Sequence, residues 1–274
     1  MKKALAFLMA IVFSMFFISC GEIEMTATPI ELKGKVTNKN ELINYLDSIE
    51  NEGMRLYSDT GYEITLIVNE EVVGIQQIVN SSYNFSGRID YSAIPFYTAS
   101  SMKLTGSKVT DKNLNKETVT TNADLIFYQG RYYFSGQKST TLSDNQQSPT
   151  TESFKSLVCP DLLKYTDSDY IFSLLSAQNY MDILELVEGG TLYSSDRGFM
   201  GKKLEQDKEA MVYCKLEKGN LQYDEISIYL KTVERKQSST TTKKIRIDVT
   251  STSYSSDYKC PVNHYDYTNT EVEL

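Results

Sequence analysis

The side chains with the most reactive chemistry are few and far apart. The chain has one histidine, His264, and four cysteines, Cys20, Cys159, Cys214 and Cys260. A serine or cysteine nucleophile needs a base such as histidine within hydrogen-bond reach. His264 lies in Asn263-His264-Tyr265-Asp266, and no nucleophile-elbow sequence accompanies it. Neither a Ser-His-Asp triad nor a pairing with Cys159 or Cys214 is indicated. A zinc site needs clustered ligands, and there is no close cysteine pair. Asp167 and Asp169, with Thr166 and Ser168, read as helix-start residues rather than calcium ligands. Gly198 and Gly201, ahead of Lys202-Lys203, match neither a Walker nor a dinucleotide-binding pattern and read as a mobile loop. Carboxylates are plentiful, but nothing selects two of them as a glycosidase-like pair. The expectation is a protein without a catalytic site, metal or cofactor.

The cysteines point to other chemistry. Met1-Lys2-Lys3 precedes an apolar run from Ala4 to Ile18, followed by Ser19-Cys20-Gly21. A basic start, an apolar core and a small residue before a cut make a secretory signal. A cysteine directly after the cut resembles the lipobox of bacterial lipoproteins, although Phe17 stands where Leu is usual. The resemblance implies cleavage before Cys20, diacylglycerol on its sulfur and acylation of the new amino terminus. The apolar run is shorter than the ~20 residues of a spanning helix, which would be the alternative use of such a segment. Export would place the remaining three cysteines where disulfides persist. Cys159-Pro160 and Cys260-Pro261 stand at segment boundaries, whereas Cys214 lies between Val212 and Leu216 on one strand face. The expected bridge is Cys159 to Cys260 with Cys214 in the core; three unbridged thiols are the alternative.

Composition limits the partners. The formal charge is −8, and cleavage after Ser19 would remove Lys2 and Lys3 and make the remainder more acidic still. Nucleic acid and anionic headgroups are poor partners for such a chain. Membrane attachment would rest on the acyl chains at Cys20, several of which exceed the reversible binding given by one. Twenty tyrosines and eleven phenylalanines, with no tryptophan, favour strands.

The elements that must position any site follow from periodicity. Residues 1–19 are the signal, 20–36 a tether, and 37–274 one folded domain. Asn38 and Glu41 form a capping-box pattern ahead of the apolar stripe Leu42, Ile43, Leu46 and Ile49. From Tyr62 the period becomes two through Ile64, Leu66 and Val68; Asn69-Glu70-Glu71 then reads as a turn, with 72–79 returning. Phe85, Ile89 and Tyr91 mark a third strand, and Met102 and Leu104 a fourth. Strands over 118–128 and 132–142 flank Gln129-Gly130-Arg131 as a hairpin. Two helices are expected next, 153–165 and the stronger 168–188, ended by Gly189-Gly190. In the second, Tyr170, Leu174, Ala177, Met181 and Leu184 recur at steps of three and four and should face the sheet. Strands resume over 210–216, 221–233 and 243–253, with Lys218-Gly219-Asn220 and 236–242 as hairpin tips. Residues 261–274 are polar and Tyr-rich.

This order predicts an α+β fold, an antiparallel sheet covered on one face by helices. It resembles the bacterial lipoprotein-carrier family and its lipid-handling relatives, in which a curved sheet forms an incomplete barrel with helices packed in its mouth. The resemblance rests on the Asn38 helix leading into 62–68, the Tyr128-Gln129-Gly130-Arg131-Tyr132-Tyr133 hairpin and the helical insertion at 153–188, and it spans nearly all of 38–253. It implies a non-catalytic module with an apolar cavity for acyl chains, bordered by Tyr170, Leu174, Ala177, Met181 and Leu184. By itself the stripe reads first as an ordinary helix-on-sheet core, and only the resemblance makes part of it a cavity lining. The second functional reading is therefore a cell-envelope scaffold that recognises a macromolecule and has a filled core.

Overall fold

In the computed structural model of the protein the described residues are 34–36, 40, 42–44, 60–93, 96–112, 115–128, 130–143, 148–158, 180–195, 198–216, 223–254 and 266–274. The first meander comprises β2 (Thr60–Gly74), β3 (Gln77–Ala93), β4 (Phe96–Lys112), β5 (Asn115–Tyr128), β6 (Arg131–Leu142) and β7 (Thr150–Ser156). The second comprises β8 (Thr191–Ser195), β9 (Gly198–Leu204), β10 (Lys208–Leu216), β11 (Tyr223–Arg235) and β12 (Ser239–Thr252). A short β1 (Gly34–Val36) flanks β8, and a one-and-a-half-turn helix α1 (Tyr180–Glu185) precedes it. All twelve strands form one sheet in the order β1-β8-β9-β10-β11-β12-β2-β3-β4-β5-β6-β7, every neighbouring pair antiparallel. The pairing of β12 with β2 joins the two meanders.

This corrects the expected α+β class. The described chain is nearly all antiparallel β, and among the described residues no helical layer lies over a face of the sheet. Among the described residues α-helix is confined to residues 40 and 42–44 and to α1. The helix expected over 153–165 gives way at its start to β7, which pairs with β6 from Phe134↔Ser156 to Thr140↔Thr150. Thr150 and Thr151 are β-branched, and Phe154 packs on the core from the position opposite Gly136, so the segment suits a pleated edge better than a helix. Of the helix expected over 168–188, the described part is 180–188; it ends in a turn with Gly189 at φ 77°, as a left-handed cap requires. The turn expected at Asn69-Glu70-Glu71 is strand: β2 runs on to Gly74 and turns at Ile75-Gln76. The loop expected at Gly198–Gly201 is β9, with Phe199 fully buried.

Alternation places one apolar residue from nearly every strand on the same face. In register, Phe154, Gly136, Ala123, Leu104, Phe85, Leu66, Ile247, Ile228, Val212, Gly201, Leu192 and Val36 form a single row across all twelve strands. Parallel rows include Met102, Leu125 and Phe134 on one side and Ile245, Val68 and Tyr83 on the other. Leu42, Ile183, Leu184 and Val187 join this core from outside the sheet. Cys214 sits in the same face, fully buried and unbridged. The longest strands have 17 residues, about 55 Å of extended chain, so the sheet is much longer than its apolar middle.

Candidate functional site

The apolar face becomes polar toward the end of the sheet that carries the turns at 75–76 and 236–238. One register row reads Ile245, Val68, Tyr83, Gly106, Thr121, Lys138 and Glu152. The row two residues farther out holds Lys243, Glu70, Ser81 and Lys108. Because the strand period is two, all of these side chains stand on the same face as Leu66, Phe85 and Leu104. Tyr83 is the boundary residue. Its ring lies over Gly106, where an added Cβ would collide with it. Burial, then the Glu70 carboxylate, push its phenol up to about 12, against a smaller opposing effect of its hydrogen bond with Ser81.

Residues 266–274 border this end of the face. Thr268 makes a parallel bridge to Ser156 on β7, with Leu157 N donating to Thr268 O (2.8 Å) and Thr268 N to Lys155 O (3.1 Å). Ser156 Oγ donates to Thr270 O at 2.7 Å. Tyr267 meets Tyr133 edge-on at 5.4 Å, with the Lys155 ammonium 5.9 Å from its ring, and Lys155 pairs with Asp266 at 3.2 Å. Beyond this clasp, Val272 and Leu274 pack against the apolar core, and Lys108 Nζ donates to the Leu274 carbonyl at 3.4 Å. Burial lowers the affinity of Lys138 for its proton; Glu273 and Glu152 oppose that effect and Lys108 adds to it.

Between β5–β7 and residues 266–273 lies a cavity of about 820 Å³. Phe154 and Val272 are the apolar side chains of its lining; the rest includes Asp124, Lys138, Glu152, Lys155, Asp266, Glu271 and Glu273. Charge pairing and anion or cation recognition are what such groups can do. Among the described residues no group of three or more His, Cys, Asp and Glu is placed to hold a metal.

The residues singled out from sequence fare unevenly. Cys20, Cys159, Cys260, His264, Asp167, Asp169, Tyr170, Leu174 and Ala177 lie outside the described residues. Leu184 is buried in the core, whereas Met181 is 40% exposed, and the inward face of this segment is Ile183, Leu184 and Val187. Tyr133 is buried and Tyr132 packs on Phe127 with ring centroids 4.8 Å apart and planes tilted by 45°, so these rings pack within the protein. Sequence reasoning misses Lys108, Lys138 and residues 271–274. The alternation Glu271-Val272-Glu273-Leu274 is the pattern of an extended segment with one apolar side, and it is the available signal.

No family model matches this chain, and no curated protein is significantly similar to it. Among solved structures, it has a likeness to the translocator domain of autotransporter NalP from Neisseria meningitidis, at 7% identity and a TM-score of 0.34, covering 77% of this chain and 95% of that one. At that level the likeness carries no argument. Among the described residues no helix is long and apolar enough to cross a membrane.

Proposed function

We propose that this protein is an exported lipoprotein of the bacterial cell envelope, held to a membrane by acyl chains on Cys20, and that it is a non-catalytic module binding a hydrophobic ligand such as a lipid. The anchor rests on the lipobox-like sequence ending in Cys20. The ligand reading rests on one observation: the apolar face that crosses the sheet and, among the described residues, is bordered by short segments of chain. Native mass spectrometry of the gently purified full chain tests it, with retained lipid as the expected result. A protein that emerges free of lipid and takes up none from vesicles would remove the reading. For the anchor, Cys20→Ala should move the protein out of the detergent phase or trap its precursor; unchanged partitioning would remove that claim.

A second reading has its own support. Leu66, Phe85, Leu104, Leu125 and Ile247 are each at most 1% exposed, and the residues that line the cavity between β5–β7 and residues 266–273 include seven charged ones, Asp124, Lys138, Glu152, Lys155, Asp266, Glu271 and Glu273. Both features suit a scaffold with a filled core that recognises a macromolecule at its surface.

A further inference from the structure

Two lysines stand where the apolar face ends. Lys108 follows Met102, Leu104 and Gly106 on the inner side of β4, and Lys138 follows Phe134 and Gly136 on the inner side of β6. On the strand between them Val119 pairs with Lys108 and Thr121 with Lys138, and the carboxylate of this face, Glu117, stands two residues farther out than Val119, at the exposed rim. What occupies the position is a piece of the chain with both an apolar and an anionic character. Val272 and Leu274 lie on the core, the Leu274 carbonyl accepts from Lys108, and the Glu273 carboxylate acts on Lys138. Glu152, opposite Lys138 on β7, is exposed and contributes a competing charge at the rim. An apolar stem with an anionic group at its end is also the chemistry of a long-chain carboxylate.

We infer that Lys108 and Lys138 are a headgroup seat for an acyl chain bearing an anionic group, and that residues 271–274 fill this seat until such a ligand displaces them. The inference rests on the hydrophobic-ligand reading and adds its polarity and its orientation. The chain of the ligand would take the place that Val272 and Leu274 hold against the core, because the face is apolar on that side of the lysines and polar on the other. A partly buried ammonium–carboxylate contact is stronger than the contact a neutral ester makes at the same place.

The test is displacement of an environment-sensitive apolar dye from the full chain by oleate, methyl oleate and acetate. Oleate should bind about tenfold more tightly than methyl oleate, the equivalent of one charge-assisted contact. Lys108→Gln with Lys138→Gln should erase that difference, and methyl oleate should bind no more weakly than before, since the same change also loosens residues 271–274. Val272→Ser with Leu274→Ser should strengthen both ligands several-fold, because the occupant is weakened while the seat is intact. Equal affinity for acid and ester, or a preference that survives in the lysine variant, would overturn the headgroup seat while leaving the hydrophobic-ligand reading standing. Acetate displacing dye as well as oleate does would reduce the site to a simple anion site and overturn the inference. An unchanged affinity in the Val272/Leu274 variant would overturn the occupancy by 271–274. Binding of neither oleate nor its ester would overturn this inference together with the reading beneath it. A urea midpoint for each variant shows that the protein compared is folded.

Discussion

Gly201 should be intolerant of even one methyl group, and the cause should be a single neighbour. A Cβ built on Gly201 would stand 2.5 Å from Val187 Cγ2 and 3.1 Å from Leu192 Cδ2. Val187 is 1% exposed and β-branched, so it has little freedom to rotate away. Gly201→Ala should therefore destabilise by about 1–3 kcal/mol through overpacking, although alanine suits a strand better than glycine. Val187→Ala removes two methyl groups from the core, a loss of about 2 kcal/mol with its cavity term. Independent effects would sum. Here the methyl added at position 201 would enter the space vacated by Val187, so the double variant should lose at least about 1 kcal/mol less than the sum. Urea denaturation of the four proteins measures this, with equal slopes as the check that unfolding remains two-state. Additivity within about 0.5 kcal/mol would refute the claim that β9 and the turn after α1 pack directly on each other.

Three further outcomes follow from burial. Tyr83 titrates near 12 in the folded protein, because of burial and then Glu70, against about 10 in the unfolded chain. The unfolded state thus releases this proton first, and stability should fall between pH 10 and 12, by at most about 1.4 kcal/mol per pH unit and by less where solvent screens the phenol. Tyr83→Phe should show a shallower decline over that window, and an identical pH profile for the two proteins would reject the assignment. Cys214 is fully buried, which pushes its thiol well above the usual range. Peptide mapping after iodoacetamide treatment should find Cys214 unmodified in the native protein and modified in urea; rapid native alkylation would contradict its place in the core. Leu66→Ala, between Phe85 and Ile247 in the central row, should cost about 2–5 kcal/mol, whereas Ile75→Asp at the 84%-exposed turn should stay within about 0.5 kcal/mol. Comparable losses at the two positions would mean that the face bearing Leu66 is not the core.

The legible parts of the fold are those whose signal is local. Alternation through Ile64, Leu66 and Val68 marks β2, and Gly130 at φ 75° turns β5 directly into β6, with Tyr128 paired to Arg131. The spacing of Cys214 from Val212 alone puts it in the core, and it is there. The misread parts depend on partners distant in sequence. Asn69-Glu70-Glu71 has the composition of a turn, yet β12 sets Lys244, Lys243 and Thr242 opposite it, so opposite charges face each other across the ladder. Gly198 and Gly201 look like loop residues because glycine usually marks a loop. In the sheet they mark close approach, the first to the Cys214 carbonyl and the second to Val187. The start of the segment from Ser153 reads as helix because Phe154 and Leu157 also fit a 3.6 period. What decides for strand is the free edge of β6, which no local pattern reveals. The cationic end of the apolar face escapes the sequence for a related reason. Lys108 and Lys138 are 30 positions apart and become neighbours only when β4, β5 and β6 are in register.

The way the apolar face is covered bears on what it can do. Among the described residues, the apolar side chains that reach the core from outside the sheet are Leu42, Ile43, Ile183, Leu184, Leu186, Val187, Val272 and Leu274. They come from three separate short pieces of chain. Full burial of an aliphatic side chain is worth about 1.5–3 kcal/mol, and Val272 and Leu274 are only partly buried. Removing both from the face therefore costs roughly what burying five methylenes returns, at about 0.8 kcal/mol each. An acyl chain of ordinary length has more methylenes than that. Exchange of residues 271–274 for such a chain is balanced by the methylenes that fill the place Val272 and Leu274 leave, and the charged contact with Lys108 and Lys138 adds to it. The sheet itself, with its continuous ladder from β1 to β7, need not move for this to happen. Strands that each donate to two neighbours open last, and a segment held by one parallel bridge, a tyrosine contact and two lysines opens first. Hydrogen exchange should accordingly be fast at residues 271–274 and slow in β2, β3 and β4, and bound oleate should leave that order unchanged while releasing the clasp at Thr268 no further than Thr270.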